Sequence, residues 1–189
     1  MGGHERLNLP ADLSIRFIFP HAPAMPVTVN GGFVMPAWYD ILEMDIDRKI
    51  DFTGLLDSAR EIRGFVSREL ERGIDSKRII IAGFSQGGAV AYQVTLSHEK
   101  PLGGLLAMST YFATADSIEY SAVNKTIPVR IQHGVHDPVV PELLGQKATN
   151  QLTKLGYNVS YQNYPMEHSV CPQQISDVSE WFQTILQHA

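Results

Sequence analysis

The sequence predicts an α/β fold of three layers, a mainly parallel sheet between helices. Short apolar runs rich in β-branched and aromatic residues recur along the chain, and longer stretches with helical spacing separate them. Strand–helix alternation of this kind builds right-handed βαβ units, which bury a parallel sheet on both faces. A length of 189 residues suits one domain, and residues 1–189 are expected to form it.

Five runs read as strands: residues 14–19, 78–84, 102–108, 128–133 and 159–164. Between them, residues 52–72 carry Leu55, Leu56, Ala59, Ile62, Phe65, Val66 and Leu70 on a helical stripe, and Gly73 stands where the helix would end. Residues 86–97 form a second expected helix. A third spans 141–155, with Pro141 near its start and Gly156 just past its end. Residues 172–187 give a fourth. The stretch 21–40 departs from the pattern. Pro23, Pro26, Pro36 and the pair Gly31-Gly32 break regular structure, while Phe33, Met35, Trp38 and Tyr39 are apolar. A long loop carrying apolar groups is expected there, either functional or pinned to the core through Trp38.

Bulk properties exclude several classes. Net charge is -5 and the chain has no Lys/Arg run, which argues against a nucleic-acid partner. Cys171 is the single cysteine, so no internal disulfide forms. No apolar run is long enough for a transmembrane helix, and the residues after Met1 do not read as a signal peptide. A cytoplasmic protein is the expectation.

The chemistry centres on Gly83-Phe84-Ser85-Gln86-Gly87, a G-x-S-x-G sequence. A β-prone run, Ile79-Ile80-Ile81-Ala82, precedes it, and Gly88-Ala89-Val90-Ala91 opens a helix after it. Strand, sharp turn and helix are the context this motif needs. The glycines leave room for so tight a turn, and the serine is placed at a helix N-terminus, where outward N–H groups favour negative charge. A serine hydroxyl needs a base, and the base needs an orienting acid. In an α/β-hydrolase fold these follow the serine in the order acid, histidine. Among His98, His133, His136, His168 and His188, only His168 lies in a short loop after a predicted strand without flanking the acid candidate. Asp137 follows the run 128–133, between Gly134 and Pro138; Asp116 is the reserve acid. Ser85 is therefore the expected nucleophile, His168 the base and Asp137 the orienting acid. The backbone N–H of Gln86 is an expected oxyanion donor. Trp38, Met108 and Tyr111 are candidate substrate contacts, with core packing the competing role. Cys171 lacks an elbow context and reads as an idle or buried thiol.

These motifs resemble the bacterial carboxylesterases related to acyl-protein thioesterases. Gly83-Phe84-Ser85-Gln86-Gly87-Gly88 is similar to that family's nucleophile elbow, Ala37-Trp38-Tyr39-Asp40 to its Trp-aromatic-Asp signature, His133-Gly134-Val135-His136-Asp137-Pro138 to its acid loop, and Met166-Glu167-His168-Ser169 to its histidine loop. The resemblance implies hydrolysis of short-to-medium acyl esters, or of acyl thioesters on proteins, through an acyl-enzyme. It also implies a hydrophobic acyl channel and no metal or cofactor. Homodimers are frequent among such proteins, and one is compatible here.

One feature departs from the family. Its members begin with strands ending in a His-Gly-X-Gly loop that supplies a second oxyanion donor, and no such segment precedes Ser14. The fold is thus expected to be N-terminally shortened, with Gly2-Gly3-His4 at most the tail of that loop. Three readings stay open: a start upstream, another segment filling the gap, or an impaired protein that binds rather than cleaves. Loss of one donor typically costs about 10²–10³ in rate.

Overall fold

The computed structural model describes residues 7, 9, 10, 13–44 and 49–187; Gly2-Gly3-His4 and His188 lie outside them. Four parallel strands form the main sheet in the order β3-β4-β5-β6: β3 (Ile80–Phe84), β4 (Gly104–Met108), β5 (Pro128–Gly134) and β6 (Asn158–Tyr164). Helices α1 (Phe52–Glu71), α2 (Gln86–Leu96), α3 (Glu142–Lys154) and α4 (Pro172–Gln187) match the four predicted helical stretches to within a residue or so at each end. Asp51 caps α1 by accepting the Gly54 N–H, and Gly73 and Gly156 take positive φ just past α1 and α3.

The sheet separates apolar clusters. On one face Leu105, Ala107, Val129 and Ile131 pack with Tyr92 and Leu96 of α2 and Leu152 of α3. On the other, Leu106 packs with Val178, Trp181 and Phe182 of α4. Leu55 and Ala59 of α1 join Val90 and Val94 of α2 in a third cluster, with Tyr39 inside it. β4, inside the sheet, is covered on both faces and is a continuous apolar run, whereas β6, at the sheet's end, alternates.

Two expectations are corrected. Residues 14–19, expected as a strand, pair with no strand among the described residues. A strand needs a ladder partner, and a cavity of about 520 Å³ separates this segment from β3. That cavity lies between α1 (Ile62, Phe65, Val66) and α4 (Phe182, Leu186), with the edge of β3 as one wall. Phe17 stays anchored through its ring, 6.5 Å from that of Phe182. The stretch 21–40 is also not wholly irregular. It folds into an antiparallel ribbon of β1 (Ala24–Val27) and β2 (Phe33–Pro36), turned by Gly31 and Gly32 at φ 66° and 76°. Proline is tolerated there because a two-stranded ribbon is all edge.

Candidate active site

Ser85 stands between β3 and α2 with φ 54° and ψ −124°, a conformation that side chains rarely adopt. The surroundings hold it there. Its N–H donates to the Met108 carbonyl at 3.0 Å, and the Thr110 hydroxyl donates to its carbonyl at 2.6 Å. A Cβ on Gly83 would overlap the Gly87 carbonyl, and one on Gly88 would come within 2.5 Å of Thr110. Gly83 is therefore a steric requirement of the turn and Gly88 of its packing on Thr110, whereas Gly87, expected to be equally crowded, has room: a Cβ there would meet only the Trp38 indole nitrogen, at 3.7 Å. As the first residue of α2, Gln86 carries an N–H with no acceptor in the helix, beside the serine.

The structure brings the three expected side chains into one line. His168 Nε2 lies 3.0 Å from Ser85 Oγ, and His168 Nδ1 lies 2.7 Å from Asp137 Oδ2. The Asp137 carboxylate is fully buried and the His168 side chain is 18% exposed. A buried carboxylate needs partners. Asp137 Oδ1 accepts the N–H groups of Val139 and Val140 at 2.9 and 2.8 Å. The acid and histidine loops are joined by their backbones: Val135 N–H donates to the Tyr164 carbonyl and His136 N–H to that of Met166. Gly134 permits this contact, because a Cβ there would strike the Met166 and Glu167 carbonyls. The Phe84 ring lies 4.7 Å from the His168 ring and flanks it.

The other candidates are not members of this line. His98 is buried beyond the end of α2, its Nδ1 accepting the Lys100 N–H. His136 and Asp116 are exposed. Met108 packs against the α4 cluster. Tyr111 is buried, its hydroxyl 2.7 Å from that of Tyr39. Trp38 is half-buried, with its indole nitrogen beside Gly87. Cys171 is partly exposed.

The side chain of Gln86 has a role that the sequence reading missed. Its Oε1 accepts the Trp38 N–H at 3.1 Å, and its Nε2 donates to the Tyr39 carbonyl at 2.9 Å. The Ser58 hydroxyl of α1 donates to the Trp38 carbonyl. The 37–40 segment is thus pinned to the elbow through polar groups as well as through Trp38. The co-occurrence of Gln86 and the Trp-Tyr-Asp segment was the only available signal.

A family profile described as phospholipase/carboxylesterase matches residues 6–186. The acyl-protein thioesterase 1 of Neurospora crassa is 36% identical over 88% of this chain and 72% of its own length. That of Cryptococcus neoformans is 34% identical over 92% and 81%. Among crystal structures, Arabidopsis thaliana SOBER1 superposes with a TM-score of 0.83 at 27% identity, covering 89% of this chain and 83% of that one. Zea mays acyl-protein thioesterase 2 does so with a TM-score of 0.75 at 27% identity, over 88% and 80%.

Proposed function

The chain belongs to the phospholipase/carboxylesterase family of α/β-hydrolases, and from that premise we propose that it is a serine hydrolase cleaving acyl esters and thioesters, including those on S-acylated proteins. The observation that carries the reading is the continuous line Ser85 Oγ–His168–Asp137, at 3.0 and 2.7 Å. Both distances lie within hydrogen-bond reach, the geometric condition for a nucleophile and its base.

The reaction runs in two steps. Ser85 Oγ attacks the acyl carbonyl as His168 Nε2 takes its proton. Asp137 holds Nδ1–H and stabilises the imidazolium. The Gln86 N–H, at the positive end of α2, donates to the developing oxyanion. His168 then protonates the departing alcohol or thiol, leaving an acyl-serine. In the second step His168 draws a proton from water, which attacks the acyl-serine and releases the acid. The substrate class rests on the relatives called acyl-protein thioesterase.

The test is hydrolysis of p-nitrophenyl octanoate and of an S-octanoyl peptide by the wild-type chain and Ser85→Ala. The variant should lose about 10⁴-fold or more in kcat on both substrates. Equal rates would leave a binding protein on this fold as the better account, a reading favoured by the position of β3 at the end of the sheet among the described residues.

A further inference from the structure

His133, at the end of β5, takes no part in the proton-transfer line, yet it is fully buried beside Asp137. Its Nε2 lies 2.8 Å from the Val140 carbonyl and 3.7 Å from Asp137 Oδ2. A carbonyl accepts only from a protonated nitrogen, so Nε2 carries the hydrogen. The donor spans the loop 134–140 from one end to the other. The same short segment presents the N–H groups of Val139 and Val140 to Asp137 Oδ1. On the other side of the ring, Gly145 of α3 leaves just enough space: a Cβ there would stand 2.5 Å from His133 Nδ1.

We propose that His133 is a positioning residue. Its Nε2–H fixes the Val139–Val140 turn, and with it the rotation of the Asp137 carboxylate that faces His168. The proposal rests on the functional reading above. Three ionisable groups face the ring: Asp137 of its own loop, His168 of the histidine loop and Glu142 of α3. Burial holds the His133 pKa below the ordinary value against the pull of the two carboxylates. Burial therefore favours the neutral imidazole. A cationic His133 would compete with His168 for the one negative charge between them; a neutral one leaves Asp137 to His168. Among the described residues the Nε2–H bond to Val140 is the hydrogen bond the ring makes, and Nδ1 faces Gly145 without a partner, so that one bond sets the ring's position.

The experiment compares His133→Phe, His133→Gln and Gly145→Ala in the full chain. The readouts are kcat, KM, the pH profile of kcat/KM for p-nitrophenyl octanoate, and the thermal midpoint. Phenylalanine keeps a planar ring, larger than imidazole, and removes the donor. The kcat should fall roughly 10- to 100-fold with KM within about two-fold, as expected for a displaced catalytic group. The acid-side inflection should move to lower pH, because a misplaced carboxylate stabilises the His168 imidazolium less. Glutamine supplies an N–H close to the Nε2 position and should retain kcat within about five-fold. Gly145→Ala favours the helix intrinsically, and its methyl pushes on an otherwise unaltered ring. It tests the same displacement if His133→Phe does not fold, and it should lower kcat and shift the inflection the same way.

A lowered thermal midpoint with unchanged kcat and inflection in the folded variants would overturn the proposal and leave His133 as packing alone. So would a glutamine variant as impaired as phenylalanine. If wild type and Ser85→Ala hydrolyse the ester equally, the functional reading fails instead, whatever His133 does.

Discussion

Replacing Asp137 by asparagine tests the proposed mechanism most sharply, because the backbone decides in advance which way the new amide faces. Asp137 Oδ1 accepts two N–H groups, from Val139 and Val140, at 2.9 and 2.8 Å. An amide NH2 placed there would meet two donors head-on. The asparagine therefore turns its carbonyl oxygen to the two N–H groups and its NH2 to His168 Nδ1, where the carboxylate accepted at 2.7 Å. A donor at that point forces Nδ1 to accept, and the neutral ring then carries its hydrogen on Nε2, facing Ser85 Oγ. The base is present, in place and in the wrong tautomer. The expected loss in kcat is about 10⁴-fold, or about 5 kcal/mol of barrier. The fold should lose far less, on the order of 1–2 kcal/mol, because both backbone donors keep their acceptor. The assay is steady-state hydrolysis of p-nitrophenyl octanoate from pH 6 to 9, alongside urea denaturation. Activity within ten-fold of wild type across that range, in a folded variant, would refute the assignment of Asp137 as the orienting acid.

Two further outcomes follow from other parts of the structure. The Gly103 N–H donates to the Ile79 carbonyl, so alternation turns the polar groups of Ile81 and Gly83 to β4 and those of Ile80 and Ala82 to the cavity. Amide hydrogen exchange followed by NMR should be markedly faster at Ile80 and Ala82 than at Ile81 and Gly83; equal protection would mean that the edge is covered. Asp40 accepts the Thr28 N–H and hydroxyl at 2.7 and 2.5 Å, and these bonds hold its carboxyl below the ordinary value of 3.8. A carboxyl depressed by folding stabilises the fold above its unfolded pKa and loses that effect as the pH falls through the folded value. Asp40→Asn should therefore be less stable than wild type at pH 7, with the gap narrowing by pH 3 in urea denaturation. A gap independent of pH would refute the ionic contribution.

The legible parts of this chain were those whose signals are local. The helices were readable because 3.6-residue periodicity and the terminal glycines Gly73 and Gly156 lie in the sequence itself. Ser85 was readable because it lies in a G-x-S-x-G sequence between a β-prone run and a helix, and the turn does exclude a Cβ at Gly83, though not at Gly87. Asp137 and His168 followed from chain order and strand ends, a property of the fold class. Three features were not legible. Residues 14–19 have strand composition, but a ladder needs a neighbour, and no local pattern reports that the neighbouring space is a cavity. The β1–β2 ribbon was hidden because its prolines, acceptable on edges, read as breakers. The Gln86 tie to Trp38 and Tyr39 spans more than 45 positions and involves main-chain atoms that no side-chain pattern encodes.

These differences bear on how the site is held. The acid and the histidine sit beyond β5 and β6, which pair with each other over seven residues and whose following loops are joined backbone to backbone. The nucleophile sits beyond β3, which among the described residues has a ladder partner on one side only. Ser85 is thus the member of the line whose strand gives it least support, and it is also the one with strained backbone. The bonds gathered there answer that weakness. The Met108 carbonyl holds its N–H, the Thr110 hydroxyl holds its carbonyl, and the next residue is tied through its side chain to the 37–40 segment. Each net bond contributes about 1 kcal/mol, comparable with the roughly 1–3 kcal/mol a strained φ/ψ costs. The elbow therefore keeps its geometry through contacts with β4 and the 37–40 segment rather than through a complete sheet.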